Sequence, residues 1–188
     1  MHLSQWAYRA DFVVYPVLVV TAALLSPWHA AFDVLPWLAA AGVGLLAWTA
    51  IEYALHRLLF HRVPPFRELH GAHHSDPRAL IGTPTWLSAG LFLAAWFLLA
   101  RIFPARVADG AAAGLMGGYL LYAFTHDAVH HRRPRPGSWL HRARFRHALH
   151  HRRGAHCNYG VSIGLWDAVM RSSATARGAP ADASAPPR

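Results

Sequence analysis

The sequence predicts an all-α integral membrane protein with four spanning helices in a single domain. Of its 188 residues, 54% are apolar and only 14% are charged, whereas charged residues make up about 25% of ordinary soluble proteins. Four stretches contain no charged residue: residues 12–25, 34–51, 83–100 and 110–125. A helix needs roughly 17–25 residues to cross the hydrocarbon core. The second and third stretches therefore suffice alone, and the first and fourth must borrow flanking residues.

The first stretch admits two other interpretations. A cleaved signal sequence is disfavoured because Asp11 stands where a positive charge is expected and Pro16 interrupts the apolar run. An interfacial or re-entrant helix is the other alternative.

The charges lie outside the apolar stretches. All 18 basic residues are arginines, against 9 acidic residues, and 11 of the 18 follow residue 131. This distribution is typical of loops beside membrane spans and not of a nucleic-acid-binding surface. The loop between the first two stretches has no arginine, whereas the segment between the second and third contains Arg57, Arg62, Arg67 and Arg78. By the positive-inside rule we expect this segment and both chain ends in the cytoplasm, although Arg101 and Arg106 oppose that orientation.

The end of the chain differs in composition from the rest. Residues 172–188 are rich in alanine, proline, serine and glycine and show no apolar periodicity. We therefore expect a membrane domain over residues 1–171 and a disordered tail over residues 172–188.

Histidine is the most unusual feature of the composition, with 15 residues. Spacings of i, i+3 and i+4 place several imidazoles on one stripe of a helix, which favours metal binding. Imidazole suits zinc, copper, iron and nickel alike, and ten rings are enough for two ions. The single cysteine excludes a multi-cysteine site, and the H-E-x-x-H motif of zinc proteases is absent. The ten candidate ligands form four groups: His56 and His61; His70, His73 and His74; His126 and His130; His147, His150 and His151.

Two features beside the first group need explanation. His56 and His61 are five residues apart, about 140° around a straight helix, so we expect the helix to end or bend there, or the two rings to reach the site from different sides. Glu52 lies one turn before His56 within an apolar region, where a carboxylate is costly. We expect Glu52 to accept the ring N–H of His56. The isolated histidines His2, His29, His131 and His141 are expected to bind no metal.

Together these motifs resemble the membrane-bound fatty acid hydroxylase and sterol desaturase superfamily, particularly its fatty acid 2-hydroxylase branch. Residues 51–61 (IEYALHRLLFH) are similar to E-Y-x-x-H-R-x-x-F-H, and residues 70–77 (HGAHHSDP) to H-G-x-H-H-x-x-P. Residues 118–130 (GYLLYAFTHDAVH) are similar to G-Y-x-x-Y-x-x-x-H-x-x-x-H. Residues 147–151 (HALHH) and 159–167 (YGVSIGLWD) complete the match. The resemblance extends from about residue 45 to about residue 170.

The resemblance implies a four-helix transmembrane bundle with a cytosolic helical cap that carries the histidine boxes. It also implies two iron ions that use dioxygen to hydroxylate a lipid acyl chain, with carbon 2 as the position. Zinc could replace iron in purified samples. Electrons would come from a separate protein of the cytochrome b5, ferredoxin or rubredoxin type, and the expected location is a bacterial inner membrane.

Three alternatives stay open at this point. Within the same chemistry the substrate could be a carotenoid or a sterol, and outside it the protein could bind or transport metal without catalysis.

His156 is a candidate to contact one of the metal-ligating histidines without itself binding the metal. The aromatic residues Tyr119, Tyr122, Phe124 and Trp86 either line a substrate tunnel or pack between helices.

Overall fold

The computed structural model describes residues 2–26, 33–152 and 156–174. Within these ranges the regular secondary structure is helical, apart from a single antiparallel β-bridge between His2 and Ile81. Four segments are long and apolar enough to cross a membrane, namely Gln5–Leu24, Val34–Phe60, Thr85–Ile102 and Ala105–His131. The expected fold class is therefore confirmed. The helices are α1 Gln5–Arg9, α2 Asp11–Leu25, α3 Val34–Ala54, continued as a π-helix over Leu55–Phe60, α4 Phe66–Ser75, α5 Thr85–Ile102, α6 Ala105–His131, α7 Trp139–Arg152 and α8 Leu165–Val169.

The bundle is built on the parallel contact of α3 with α6. Glycines every fourth residue on α6 let the two backbones approach closely, as small residues commonly do between membrane helices. A Cβ atom on Gly114 would lie 2.0 Å from the carbonyl oxygen of Ala41, and one on Gly44 would lie 2.3 Å from that of Ala111. Because α3 and α6 run in the same direction, their histidine-bearing ends meet at the same end of the bundle.

The first apolar stretch is an integral part of this bundle. Tyr15 of α2 is fully buried, and its ring centroid lies 4.5 Å from that of Tyr119 on α6. Asp11 accepts hydrogen bonds from Tyr119 Oη at 2.5 Å and from Thr85 Oγ1 at 2.6 Å. The carboxylate thus joins α2, α5 and α6. The first span is extended through α1 at its start, and the fourth is extended at both ends.

The expected boundary of the tail falls inside the folded region. Ser172 is buried, and its Oγ lies 2.9 Å from Tyr53 Oη and donates to Asp167 Oδ1 at 2.7 Å. Asn158 Oδ1 accepts a hydrogen bond from the backbone N–H of Ala174. The folded region therefore reaches at least Ala174, because polar groups in the core pair with this segment. Residues 175–188, the rest of the predicted tail, lie outside the described residues.

Candidate metal centre

All ten histidines of the four groups come together at one end of the bundle. Five rings each offer a nitrogen to what we call the first cluster, and four offer one to the second; within each cluster these atoms lie within 4.8 Å of one another. The tenth ring, His151, places its Nε2 3.1 Å from Nε2 of His147 and thereby adjoins the second cluster. The first cluster is His56, His61, His70, His74 and His150, and the second is His73, His126, His130 and His147.

A π-helix explains how His56 and His61 reach the same cluster. The wider turn of Leu55–Phe60 aligns residues five apart, as its i to i+5 hydrogen-bond pattern requires. The two rings stack with centroids 5.1 Å apart and planes inclined by 28°. The expected 140° separation assumed an α-helix throughout. The expected helix end is also present, because Phe60 is the last helical residue and His61 is the C-cap.

Helices α4, α6 and α7 deliver the other rings to the clusters at helical spacing. On α4, His70 and His74 enter the first cluster, and His73 between them enters the second. On α6, His126 and His130 are one turn apart and both belong to the second cluster. The α7 stripe divides as well, since His150 joins the first cluster and His147 the second. Sequence groups and spatial clusters are therefore different sets.

The arrangement of nitrogens within the clusters fits metal cations. In the first cluster Nε2 of His56 lies 3.0 Å from Nε2 of His70, and Nε2 of His150 lies 3.1 Å from Nε2 of both His61 and His74. In the second cluster Nε2 of His130 lies 2.8 Å from Nε2 of His147. Neutral rings cannot all donate to each other across such a group, because each has only one N–H. A cation at the centre is the natural partner of the converging lone pairs.

Burial keeps these rings in the metal-binding form. Burial, followed by the neighbouring imidazoles, lowers the pKa of His61 to about 3 and of His74 to about 4. Burial likewise lowers the pKa of His150 to about 4. The rings are therefore neutral near pH 7, and each retains a lone pair for a metal ion.

Two rings of the first cluster are also fixed through their second nitrogen. His56 Nδ1 donates to the carbonyl oxygen of Tyr159 at 2.6 Å, and His150 Nδ1 donates to that of Cys157 at 2.8 Å. The tautomers follow from these acceptors: with the proton on Nδ1, the lone pair of Nε2 faces the cluster.

Both carbonyls belong to residues 157–162, which we call the clamp segment, and two buried carboxylates hold its backbone. Asp167 accepts the N–H groups of Tyr159 and Gly160 at 2.9 and 2.8 Å. Glu52 accepts the N–H groups of Val161 and Ser162 at 2.7 and 2.9 Å and also the hydroxyl of Ser162. The backbone N–H groups of four consecutive residues, 159–162, thus all donate to buried carboxylates.

The prediction that Glu52 accepts the ring N–H of His56 is wrong. The carboxylate of Glu52 binds the clamp segment, and the clamp segment supplies the carbonyl oxygen that His56 contacts. Glu52 therefore orients His56 only indirectly. Its carboxylate holds the backbone of the clamp segment, and a carbonyl of that segment accepts the ring N–H of His56. Asp167 lies in the motif of residues 159–167 (YGVSIGLWD), but the motif by itself assigns this carboxylate no role.

Those isolated histidines that the structure describes lie outside the two clusters. His2, His131 and His141 are exposed, as is His156, which lies close enough to His61 to help lower the pKa of that ring. The ring of His131 packs edge-on against Tyr8. His29 lies outside the described residues.

A largely apolar cavity of about 410 Å³ reaches the clusters from within the bundle. Its wall includes His56 and His126 at one end and extends along α5 to Ala95 and along α6 to Leu115. Leu115 precedes His126 by eleven residues, so the cavity runs for about 16 Å along the helix axis.

Two of the four predicted tunnel aromatics, Tyr119 and Tyr122, line the cavity. Phe124 borders a separate depression, and Trp86 is 75% exposed.

Comparisons with known proteins agree with this geometry. Fatty acid 2-hydroxylase of Rattus norvegicus is 35% identical over 138 residues, covering 66% of this chain and 37% of the rat protein. Dihydroceramide fatty acyl 2-hydroxylase FAH2 of Arabidopsis thaliana is 35% identical over 137 residues, covering 68% of this chain and 57% of the plant protein. The chain thus spans little more than a third of the rat enzyme's length.

A solved structure of full-length Scs7p, in which only the hydroxylase domain is visible, superposes with a TM-score of 0.78 at 27% identity. The superposition covers 93% of this chain and 69% of that one. The family model described as fatty acid hydroxylase matches residues 41–172, which include both clusters and the clamp segment. The resemblance read from the histidine motifs is confirmed, and the chain belongs to the fatty acid hydroxylase family.

Proposed function

We propose that this protein is a membrane-bound oxygenase that hydroxylates a lipid acyl chain with dioxygen, at carbon 2, with two iron ions held by its histidine clusters. The observation that carries the proposal is the apolar cavity, which opens onto both clusters through His56, His70, His73 and His126. A long apolar cavity inside a membrane bundle suits an acyl chain. The converging imidazoles mark the end at which the chain would react.

Bound iron would supply the oxygen-activating redox chemistry that cleavage of an unactivated C–H bond requires and that zinc lacks. The protein's own residues would position the ions and the substrate. The histidines hold the ions, the clamp segment orients His56 and His150, and the cavity wall keeps water from the acyl chain while it aligns one carbon with the clusters.

The ligand set we propose contains His56, His61, His70, His74 and His150 for the first ion, and His73, His126, His130, His147 and His151 for the second. Glu52 is proposed as a positioning residue. The names of the relatives support hydroxylation at carbon 2.

The remaining partners follow from the reaction. Reduction of the second oxygen atom to water requires electrons, and we propose a soluble donor of the cytochrome b5, ferredoxin or rubredoxin type. Exposed arginines near the clusters, such as Arg62 and Arg152, suit an acidic donor. We propose a bacterial inner membrane with the clusters and both termini on the cytoplasmic side.

The test is a reconstituted reaction with a defined lipid. Protein purified without oxygen and loaded with ferrous iron is mixed in nanodiscs with an N-acyl lipid, a reductant with its donor protein, and isotopically heavy dioxygen. Mass spectrometry should then show one heavy oxygen atom in the acyl chain, with fragmentation placing it at carbon 2.

Three outcomes would contradict the proposal. Oxygen incorporated only into a carotenoid or a sterol supplied in parallel would assign a different substrate. Iron binding without oxygen consumption would favour a metal-binding or transport protein. Activity in protein that retains only one iron per chain would refute the proposed pair of ions.

A further inference from the structure

The two histidine clusters differ in how their rings are supported. In the first cluster, the Nδ1 atoms of His56 and His150 donate to carbonyl oxygens of the clamp segment. In the second cluster, the Nδ1 atoms of His73 and His147 are buried, and neither finds a hydrogen-bond partner among the described residues. The clamp segment therefore supports one cluster only.

This support extends beyond the two carbonyls. Asp167, which receives two amides of the clamp segment, also accepts from Ser172 Oγ at 2.7 Å, and Ser172 contacts Tyr53 of α3. Asp167 is 1% exposed and Glu52 4% exposed. The acceptors of His56 and His150 are thus held by buried protein groups and not by the ion itself.

Such outer contacts affect metal affinity in a known direction. An acceptor on the second ring nitrogen fixes the tautomer, orients the ring and raises the basicity of the metal-facing nitrogen. Loss of such a contact typically lowers metal affinity about 10–100-fold. Rings without acceptors must be ordered by the ion itself, which reduces the affinity that is observed.

We propose that the two metal positions are unequal: the first cluster binds its ion more tightly and fills first, because the clamp segment, held by Glu52 and Asp167, preorganises its ligands. The second position is the weaker, exchangeable one. The inference rests on the proposed pair of metal ions and adds an order of loading. It makes Asp167 a positioning residue whose effect is confined to one of the two ions.

The experiment is a metal titration that does not depend on hydroxylation. Metal-free protein in nanodiscs is equilibrated with Co²⁺ at chelator-buffered concentrations, and native mass spectrometry counts the ions bound per chain. We expect a one-ion species to accumulate before the two-ion species, with dissociation constants separated by at least about 10-fold. A distribution in which the two positions fill with equal affinity would overturn the proposal.

Ligand variants identify which cluster holds the first ion. In His130→Ala, which removes a ring of the second cluster, the tight ion should bind as in the unmodified protein. In His61→Ala the tight ion should be lost. The opposite pattern would also overturn the proposal.

The clamp variants test the cause of the inequality. Asp167→Asn keeps one acceptor oxygen but turns an amide N–H toward a backbone N–H, so affinity for the first ion should fall about 10–100-fold and affinity for the second should not change. Ser162→Ala removes only one donor to Glu52, so it should lower affinity for the first ion less and provides the test if Asp167→Asn does not fold.

Asp127→Asn is the matched control, because this carboxylate follows His126 but contacts Tyr8 and Arg132. It should leave both affinities unchanged. An equal loss at both positions in the clamp variants would indicate a general effect on folding and would refute the proposal. If Co²⁺ does not bind at all, the proposed function fails as well; two equal positions would remove this inference alone.

Discussion

His56 illustrates how one side chain is fixed at both of its ring nitrogens. Its Nε2 lies 3.0 Å from Nε2 of His70, and its Nδ1 donates to Tyr159, a residue 103 positions away in the chain. The ring is 4% exposed, so its orientation does not depend on solvent. A ring fixed in this way presents its lone pair in one direction, which is what a metal ligand requires.

For single residues, we predict that replacing a cluster histidine and replacing an exposed histidine have clearly different effects on activity and metal content. His150→Ala should abolish hydroxylation and lower the metal content, because it removes a ring whose Nε2 lies close to two others and whose Nδ1 is fixed by Cys157. Metal content is measured by elemental analysis, and hydroxylation by mass spectrometry of the lipid.

His141→Ala is the control for this prediction. His141 is exposed on α7, and its loss should change the free energy of unfolding by less than about 0.5 kcal/mol while metal content stays the same. Full activity in His150→Ala would remove His150 from the proposed ligand set.

Two features of helix geometry set the distances between the helices and between their histidine rings. The π-helix brings residues five apart into register at the metal end of α3, and the glycines of α6 bring the backbones of α3 and α6 together in the bundle. Both features act on the same pair of helices. The spacing of α3 and α6 therefore contributes, together with α4 and α7, to the separation of the first and second clusters.

We predict that the bundle is sensitive to a methyl group at this contact. A Cβ on Gly114 would lie 2.0 Å from the backbone oxygen of Ala41, so Gly114→Ala must push α3 and α6 apart. Overpacking of this kind costs about 1–3 kcal/mol of stability. Thermal unfolding in detergent should show a lower transition temperature.

Gly117→Ala provides the comparison on the same helix. A Cβ there would meet nothing within 4 Å, and alanine has the higher helix propensity. This variant should be as stable as the unmodified protein or more so. Equal behaviour of the two variants would mean that the α3–α6 contact is looser than the structure shows.

The wall of the cavity gives a prediction about chain length. Ala95 lies about 15 Å along α5 from Thr85 and lines the far part of the cavity. Ala95→Phe should shorten the cavity, so the longest acyl chains should no longer be hydroxylated while shorter ones still react. The measurement is the product distribution from a mixture of chain lengths.

Ala94→Phe is the matched control, because Ala94 is exposed on the outer face of α5 and is not part of the cavity wall. It should leave the distribution unchanged. A shift of equal size in both variants would show that α5 acts through its general packing and not through the cavity.

In the whole molecule the clusters connect elements that are far apart in the chain. Ligand candidates come from the end of α3 and from α4, α6 and α7, and the clamp segment contributes carbonyls from beyond α7. A metal ion at each cluster would therefore bind only the folded arrangement. Ligands that bind only the folded state stabilise it by mass action.

We predict that chelation lowers the stability of the entire protein and not only of the cap. At a free metal concentration 100-fold above the dissociation constant, one bound ion contributes about 2.7 kcal/mol. Removal of metal with a chelator should lower the unfolding temperature in nanodiscs, and restoring the metal should reverse the effect. An unfolding temperature that does not respond to metal would contradict the proposed linkage between the helices.

Much of this arrangement follows from the sequence alone. The four uncharged stretches predict four spans because membrane helices must be apolar over a fixed length. The histidine spacings predict metal binding because i, i+3 and i+4 are local properties of a helix. The isolated positions His131 and His141 are likewise correctly separated from the clusters, since no partner histidine repeats with them at helical spacing.

Only the tertiary structure decided how these local features combine. A π-helix, in addition to the expected helix end, aligns His56 with His61, and Glu52 binds the clamp segment and not the ring of His56. The α4 and α7 stripes each divide between the two clusters, and the apolar cavity is formed by helices distant in sequence. The physical reason is that helical periodicity is set within a few residues, whereas hydrogen-bond partners a hundred residues apart, such as Glu52 and Val161, are chosen by the packing of the whole chain.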